Sequence, residues 1–150
     1  MVGGKDADIQ TLRNYSDKIG ISDHIIFTGH VDTNSLIHLI HLSNLTVSPI
    51  PPTPNFIVSS PTKVIESIGL GTPVLANKEI PDQYEIITKS KGGLLVAYKE
   101  KAFSEAIVQM MNNKELLKTF AESGKAFIIN NRSYKKLSEK VVETYKKMLE

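Results

Sequence analysis

The chain has 150 residues and no cysteine. That excludes a disulfide framework, a thiolate zinc site and a cysteine nucleophile, and it fits a reducing compartment. Long hydrophobic runs are missing as well. No stretch approaches the roughly 18 apolar residues of a membrane span, and residues 1–20 are polar, without a signal-peptide core. Charge of one sign is scarce: 18 Lys and Arg stand against 16 Asp and Glu, a net charge of +2. The lysines are spread along the chain instead of forming a stripe, which argues against a nucleic-acid partner. There is no G-x-S-x-G elbow and no Walker loop. Of the four histidines (His24, His30, His38, His41), only His38 and His41 have a chelating spacing, and no carboxylate pattern joins them, so neither a metal nor a cofactor is expected.

What is present is ordinary globular material. Hydrophobic residues make up 41% and charged residues 23%, enough to bury a core in one domain of this length. Apolar periodicity predicts helices over 6–19, 33–43, 62–70 and around 82–88, and a helical chain from 99 onward. Between them lie short β-branched runs read as strands: Ile25–Thr28, Leu45–Ser48, Pro73–Ala76 and Leu94–Val96. Asp32 or Thr33 is placed to cap the second helix. Met1-Val2 before Gly3-Gly4 reads as the end of a strand. Strand and helix alternate, and the strands are near-continuously apolar. That predicts an α/β fold, a Rossmann-like parallel sheet with helices on both faces and a helical C-terminus.

Residues 49–60 fit no element. Four prolines (Pro49, Pro51, Pro52, Pro54) make this a stiff surface loop leaving the carboxyl end of a strand, and ligands of open α/β sheets bind outside those ends. Ser60 reads as the N-cap and Pro61 as the first residue of the helix that follows. The free N–H groups of such a helix start attract anions, phosphate above all. Lys63 in the first turn opposes the helix dipole by about 0.3–1 kcal/mol, a sign that an anionic ligand would reverse. The alternative is a solvated lysine. Glu66, one turn on from Thr62, could accept two ribose hydroxyls or simply balance Lys63. Gly71 before Thr72-Pro73 reads as a helix C-cap. Gly69 inside the helix implies close packing of helix on sheet.

The stretch Pro61-Thr62-Lys63-Val64-Ile65-Glu66-Ser67-Ile68-Gly69-Leu70-Gly71-Thr72-Pro73-Val74-Leu75-Ala76 resembles the P-x-K-x-x-E-x-x-A-x-G-x-P-V-x-A segment of group 1 (family 4) retaining glycosyltransferases of the GT-B fold. Gly69 replaces the usual Ala. Ile26-Phe27-Thr28-Gly29-His30-Val31 is similar to that family's F-x-G-x-V, Leu45–Pro49 to its strand leading into S-P, and Gly92–Val96 to its late G-x-L-V strand. The resemblance spans essentially the whole chain and implies the C-terminal, donor-binding half of such an enzyme. It implies binding of a nucleotide-sugar donor (a UDP- or GDP-sugar), with retention at the anomeric carbon and no cofactor. Glu66 matches the second Glu of the family's E-x7-E motif, which holds the donor ribose. Ser60, Thr62 and Lys63 fall at the diphosphate, and Gly29, His30 and Val31 at the nucleobase. Val58 stands where the first Glu would be, so Val58 and Ser59 occupy the donor-sugar position, and residues 33–65 contain no Asp or Glu.

Residues 1–150 are thus expected to form a single nucleotide-sugar-binding domain, a fragment of a longer two-domain enzyme whose N-terminal acceptor-binding half is missing. Alone it is expected to be inactive. The resemblance implies a cytoplasmic location, at the inner face of the membrane as an alternative, and leaves membrane contact open. The rival readings are a noncatalytic nucleotide-binding or scaffold domain and half of a GT-B nucleotide-sugar epimerase. A receiver-like signalling module would need an acidic pocket at the strand ends, where this chain has Gly3-Gly4 and Ser48.

Overall fold

The computed structural model describes residues 1–149. They divide into two compact units, the first running from Met1 to Leu39 and the second from Ile40 onward.

In the first unit, α1 (Asp6–Lys18) precedes a short 3-10 turn at Ser22–His24 and the start of α2 (Thr33–Leu42). Asp8 and Asp6 in the first turn of α1 and Lys18 in its last suit the helix dipole. The Asp32 carboxylate accepts the Ser35 N–H at 2.9 Å and its hydroxyl at 2.6 Å, so Asp32 is the cap of α2. These bonds, the hydroxyl first, hold the Asp32 pKa below its ordinary value. Ile25–Thr28 is extended but forms no strand. Its backbone pairs with the short stub at the chain start: the Met1 amine donates to Ile26 O, Thr28 N–H to Met1 O and Gly3 N–H to Gly29 O. Three bonds between two such short segments do not extend into a ladder. Arg13 lies over the Phe27 ring, 4.9 Å from its centroid.

The second unit carries the sheet. β1 (Thr46–Ser48), β2 (Val74–Asn77) and β3 (Gly93–Val96) are parallel, in the order β1-β2-β3. The crossovers are α4 (Thr62–Leu70) between β1 and β2, and α5 (Pro81–Ser90) between β2 and β3. Side chains of a strand alternate between faces. Val74 and Ala76 pack with Val64 and Ile68 of α4, with Ile86 and Ile87 of α5, and with Ile128 of α7 (Lys114–Asn131). Leu75 points the other way, onto Phe103, Ala106 and Met110 of α6 (Glu100–Met111). Helices therefore cover both faces, and all four residues of β2 are buried.

Two connections depart from local expectation. The proline-rich loop contains a single helical turn, α3 (Pro54–Ile57), with Thr53 O accepting the Phe56 and Ile57 N–H groups. Proline at the first helical position costs no hydrogen bond, which is why the turn tolerates it. Gly69 faces Ile128 of α7, not the sheet; a Cβ there would lie 3.1 Å from Ile128 Cγ2. Gly71 ends α4 in the left-handed region at φ 88°, as its position before Thr72-Pro73 implies. The last helix, α8 (Tyr134–Leu149), contains no buried residue, and its apolar side chains Tyr134, Val141, Tyr145 and Met148 are exposed.

Candidate functional site

Parallel crossovers bring the start of each helix back to the carboxyl edge of the sheet. The start of α4 lies there because β1 ends at Ser48 and the loop over 49–61 returns the chain to the head of the helix. The helix begins at Thr62, and Pro61, not Ser60, is the capping residue, with φ −78° and ψ 89° and no side-chain cap. The Ser60 hydroxyl is turned away and donates to Asp82 Oδ2 of α5 at 2.8 Å. Val64 N–H reaches Pro61 O at 3.0 Å. Among the described residues the N–H groups of Thr62 and Lys63 have no partner.

Thr62, Lys63 and Glu66 are all exposed. Among the described residues Lys63 and Glu66 form no ion pair with each other or with any other group. The simple balance of Lys63 by Glu66 therefore does not form. Two free N–H groups, an ammonium and a free carboxylate one turn on make a surface that can take an anion beside a hydroxyl-bearing group.

The other expected positions are less concentrated. Val58 is 83% exposed. Ser59 donates its hydroxyl to Phe56 O at 2.6 Å and serves the α3 turn. Gly29, His30 and Val31 belong to the first unit, where Gly29 has φ 65° and open space around its α-carbon. Among the described residues no cluster of His, Asp and Glu could hold a metal ion, and His38 and His41 are exposed. No described helix is long and apolar enough to cross a membrane.

The sequence reading missed a buried polar chain along the same edge. Asn77 ends β2 and Gln83 lies in the first turn of α5, both 0% exposed. Ser48 donates to Gln83 Oε1 at 2.5 Å, Gln83 Nε2 to Asn77 O and Oδ1 at 3.2 and 3.3 Å, and Ile50 N–H to Asn77 Oδ1 at 2.8 Å. Asn77 Nδ2 donates in turn to Glu79 Oε2 at 3.1 Å, and Tyr98 N–H to Glu79 Oε1 at 3.1 Å. Desolvation pushes the Glu79 carboxyl up, but the bonds from Tyr98 and Asn77 together outweigh it and hold the pKa below its ordinary value. No local period marks this chain, because its members are brought together only by the parallel register. On the α6 side of the same edge, Val47, Pro49, Tyr98, Lys99 and Phe103 line an open groove of about 570 Å³.

A parallel sheet covered on both faces, with an uncapped helix start at its carboxyl edge, is an open α/β arrangement of the kind whose ligands sit outside the strand ends. Residues 1–127 match the model of the glycosyl transferases group 1 family, and the chain belongs to that family. No curated protein sequence matches it. Among solved structures it is similar to sucrose-phosphate synthase from Thermosynechococcus elongatus, with a TM-score of 0.81 and 21% identity, covering 99% of this chain and 37% of that one. It is also similar to WaaG, a glycosyltransferase involved in lipopolysaccharide biosynthesis, with a TM-score of 0.74 and 17% identity, covering 95% of this chain and 36% of that one. The chain thus spans little more than a third of either protein. At these identities the likeness carries the fold, the Rossmann-like C-terminal half of a GT-B protein with a helical C-terminus.

Proposed function

We propose that this chain is the donor-binding part of a retaining glycosyltransferase, which takes a sugar from a UDP or GDP carrier and delivers it to an acceptor held by a separate half of the enzyme. The observation that carries this reading is the head of α4, where, among the described residues, the Thr62 and Lys63 N–H groups and the Lys63 ammonium have no partner. A diphosphate supplies the charge that all three favour. The ribose attached to it extends along the helix to Glu66, whose free carboxylate accepts its hydroxyls. Family membership supports glycosyl transfer as the chemistry. Because the chain holds one side of a cleft, orientation of donor against acceptor requires the second half, and that orientation is worth up to about 7–11 kcal/mol of barrier. Residues 1–150 alone therefore bind donor without turning it over.

Val58 favours a second reading. With an exposed valine in place of the first motif carboxylate, and no acid anywhere in residues 33–65, a noncatalytic nucleotide-binding domain needs the same α4 surface and nothing more.

Titration calorimetry with UDP and GDP, on the chain and on Glu66→Gln, tests the common core of both readings. Hydrogen bonds to a charged acceptor contribute about 1.5–3 kcal/mol. The native chain should discriminate against 2′-deoxy and 3′-deoxy analogues, and the variant should lose roughly tenfold or more in affinity together with most of that discrimination. Equal affinity for ribo and deoxy forms in both proteins would leave Glu66 as a mere surface carboxylate.

A further inference from the structure

The loop of residues 49–60 is held at both ends by a single turn of a different helix. At its entry, Ser48 donates to Gln83 Oε1, and Ile50 N–H is accepted by Asn77 Oδ1, which Gln83 Nε2 also contacts. At its exit, Ser60 donates to Asp82 Oδ2. Asp82 and Gln83 are adjacent residues in the first turn of α5, and Gln83 is fully buried. Between these anchors the loop has little support of its own: Phe56, Ile57 and Val58 are exposed, and α3 is one turn long.

We propose that Asp82 and Gln83 are positioning residues for the diphosphate end of the site, a clasp that sets where the head of α4 sits by fixing the loop that leads to it. The proposal rests on the reading of that helix start as the phosphate-binding surface. The division of labour follows from burial. Gln83 and Asn77 are fully buried and hydrogen-bonded to each other and to the loop entry, so that end is tied into the core. The Ser60–Asp82 bond is exposed, and it ends one residue before the Pro61 cap of α4. Its loss leaves the core untouched while freeing the residues immediately before the N–H groups of Thr62 and Lys63. It also accounts for the missing N-cap. Ser60 stands next to the helix start, yet its hydroxyl is spent on the clasp, so the helix N–H groups stay open.

The test uses Asp82→Ala and Asp82→Asn in the full chain, with two readouts. The first needs no ligand. Amide exchange at Phe56, Ile57 and Ser59, whose N–H groups are bonded only within the loop, should rise by about three- to tenfold in Asp82→Ala. Exchange in β2 should not change. Asp82→Asn keeps an oxygen acceptor for Ser60 and should restore most of the native protection. The second readout is calorimetric affinity. Asp82→Ala should weaken UDP or GDP several-fold while leaving affinity for the parent nucleoside unchanged, and Asp82→Asn should recover the loss. Unchanged loop exchange in Asp82→Ala overturns the clasp, whatever binds. An equal loss for nucleoside and diphosphate overturns its assignment to the phosphate end. Failure of the native chain to bind either diphosphate sinks the underlying reading instead, and the exchange data then judge the clasp alone.

Discussion

α4 and α8 each carry a lysine in the first turn and a glutamate three residues later, and they use them differently. In α8, Lys136 and Glu139 form an ion pair at 2.8 Å, and Lys147 and Glu143 form a second at 2.9 Å. In α4, Lys63 and Glu66 stay apart. The helix starts differ in the same direction. Lys136 N–H of α8 is met by Ser133 Oγ at 3.4 Å, whereas Ser60 before α4 gives its hydroxyl to Asp82. Burial is reversed: α4 sinks Val64 and Ile68 into the core, each 1% exposed, and α8 buries nothing. The helix that is locked into the fold is thus the one whose polar groups are uncommitted. The loosely held helix has both of its glutamates, Glu139 and Glu143, paired with lysines. Pairing on a helix surface is worth only a few tenths of a kcal/mol, too little for spacing to decide it. A rigid mount with unspent donors and acceptors is the arrangement that a binding surface requires.

The largest test of this contrast is a pair of truncations. Ile68→Ala removes a side chain enclosed between α4 and the sheet and should cost about 2–5 kcal/mol, read by urea unfolding. Val141→Ala on α8 removes an exposed side chain and should change stability by no more than about 0.5 kcal/mol. If Val141→Ala costs as much as Ile68→Ala, the apolar side of α8 is covered in solution, and the contrast in mounting is lost.

Much of this arrangement is legible in the residues. The bounds of α4 at 62 and 70, the Gly71 stop, the Asp32 cap and the apolar strands all follow from local rules, because the groups involved are neighbours in sequence. What fails is whatever depends on a distant partner. Ser60 is an ideal cap by position, but Asp82, 22 residues on, takes its hydroxyl. Gly69 reads as a helix-on-sheet contact, and its neighbour is Ile128 of α7. Ile25–Thr28 has the composition of a strand without a partner long enough to make a ladder. The Ser48–Gln83–Asn77–Glu79 chain is invisible because four polar residues on β1, β2, the turn after it and α5 share no period.

That polar chain gives an intermediate effect. Glu79 has a depressed pKa in the folded state, so its contribution is complete above the unfolded value of about 4.3 and is lost as pH falls through the folded one. Partial exposure limits the contribution to about 1 kcal/mol. Stability measured between about pH 6 and pH 3 should therefore fall less steeply in Glu79→Gln than in the native chain. Identical slopes would show that the carboxylate is not stabilised where Tyr98 and Asn77 hold it. The joint at the carboxyl edge would then rest on Asn77 and Gln83 alone.

The smallest effect is the most direct test of the comparison. A double-mutant cycle on Lys136 and Glu139 should return a coupling of about 0.2–0.5 kcal/mol at low salt, fading as salt rises. The same cycle on Lys63 and Glu66 should return none without ligand, since no ion pair joins them. Spacing and residue order are matched and both lysines lie in the first turn, so each cycle serves as a control for the other. Adding UDP or GDP then separates two origins for any α4 signal. A ligand held by both residues makes them couple through it, so the cycle measured on binding affinity becomes non-zero, while the α8 cycle stays where it was. Equal coupling in the two helices without ligand would mean that Lys63 and Glu66 pair in solution. The free charges at the head of α4 would then be an ordinary surface pair, and the case for that helix as the phosphate and ribose mount would fall with them.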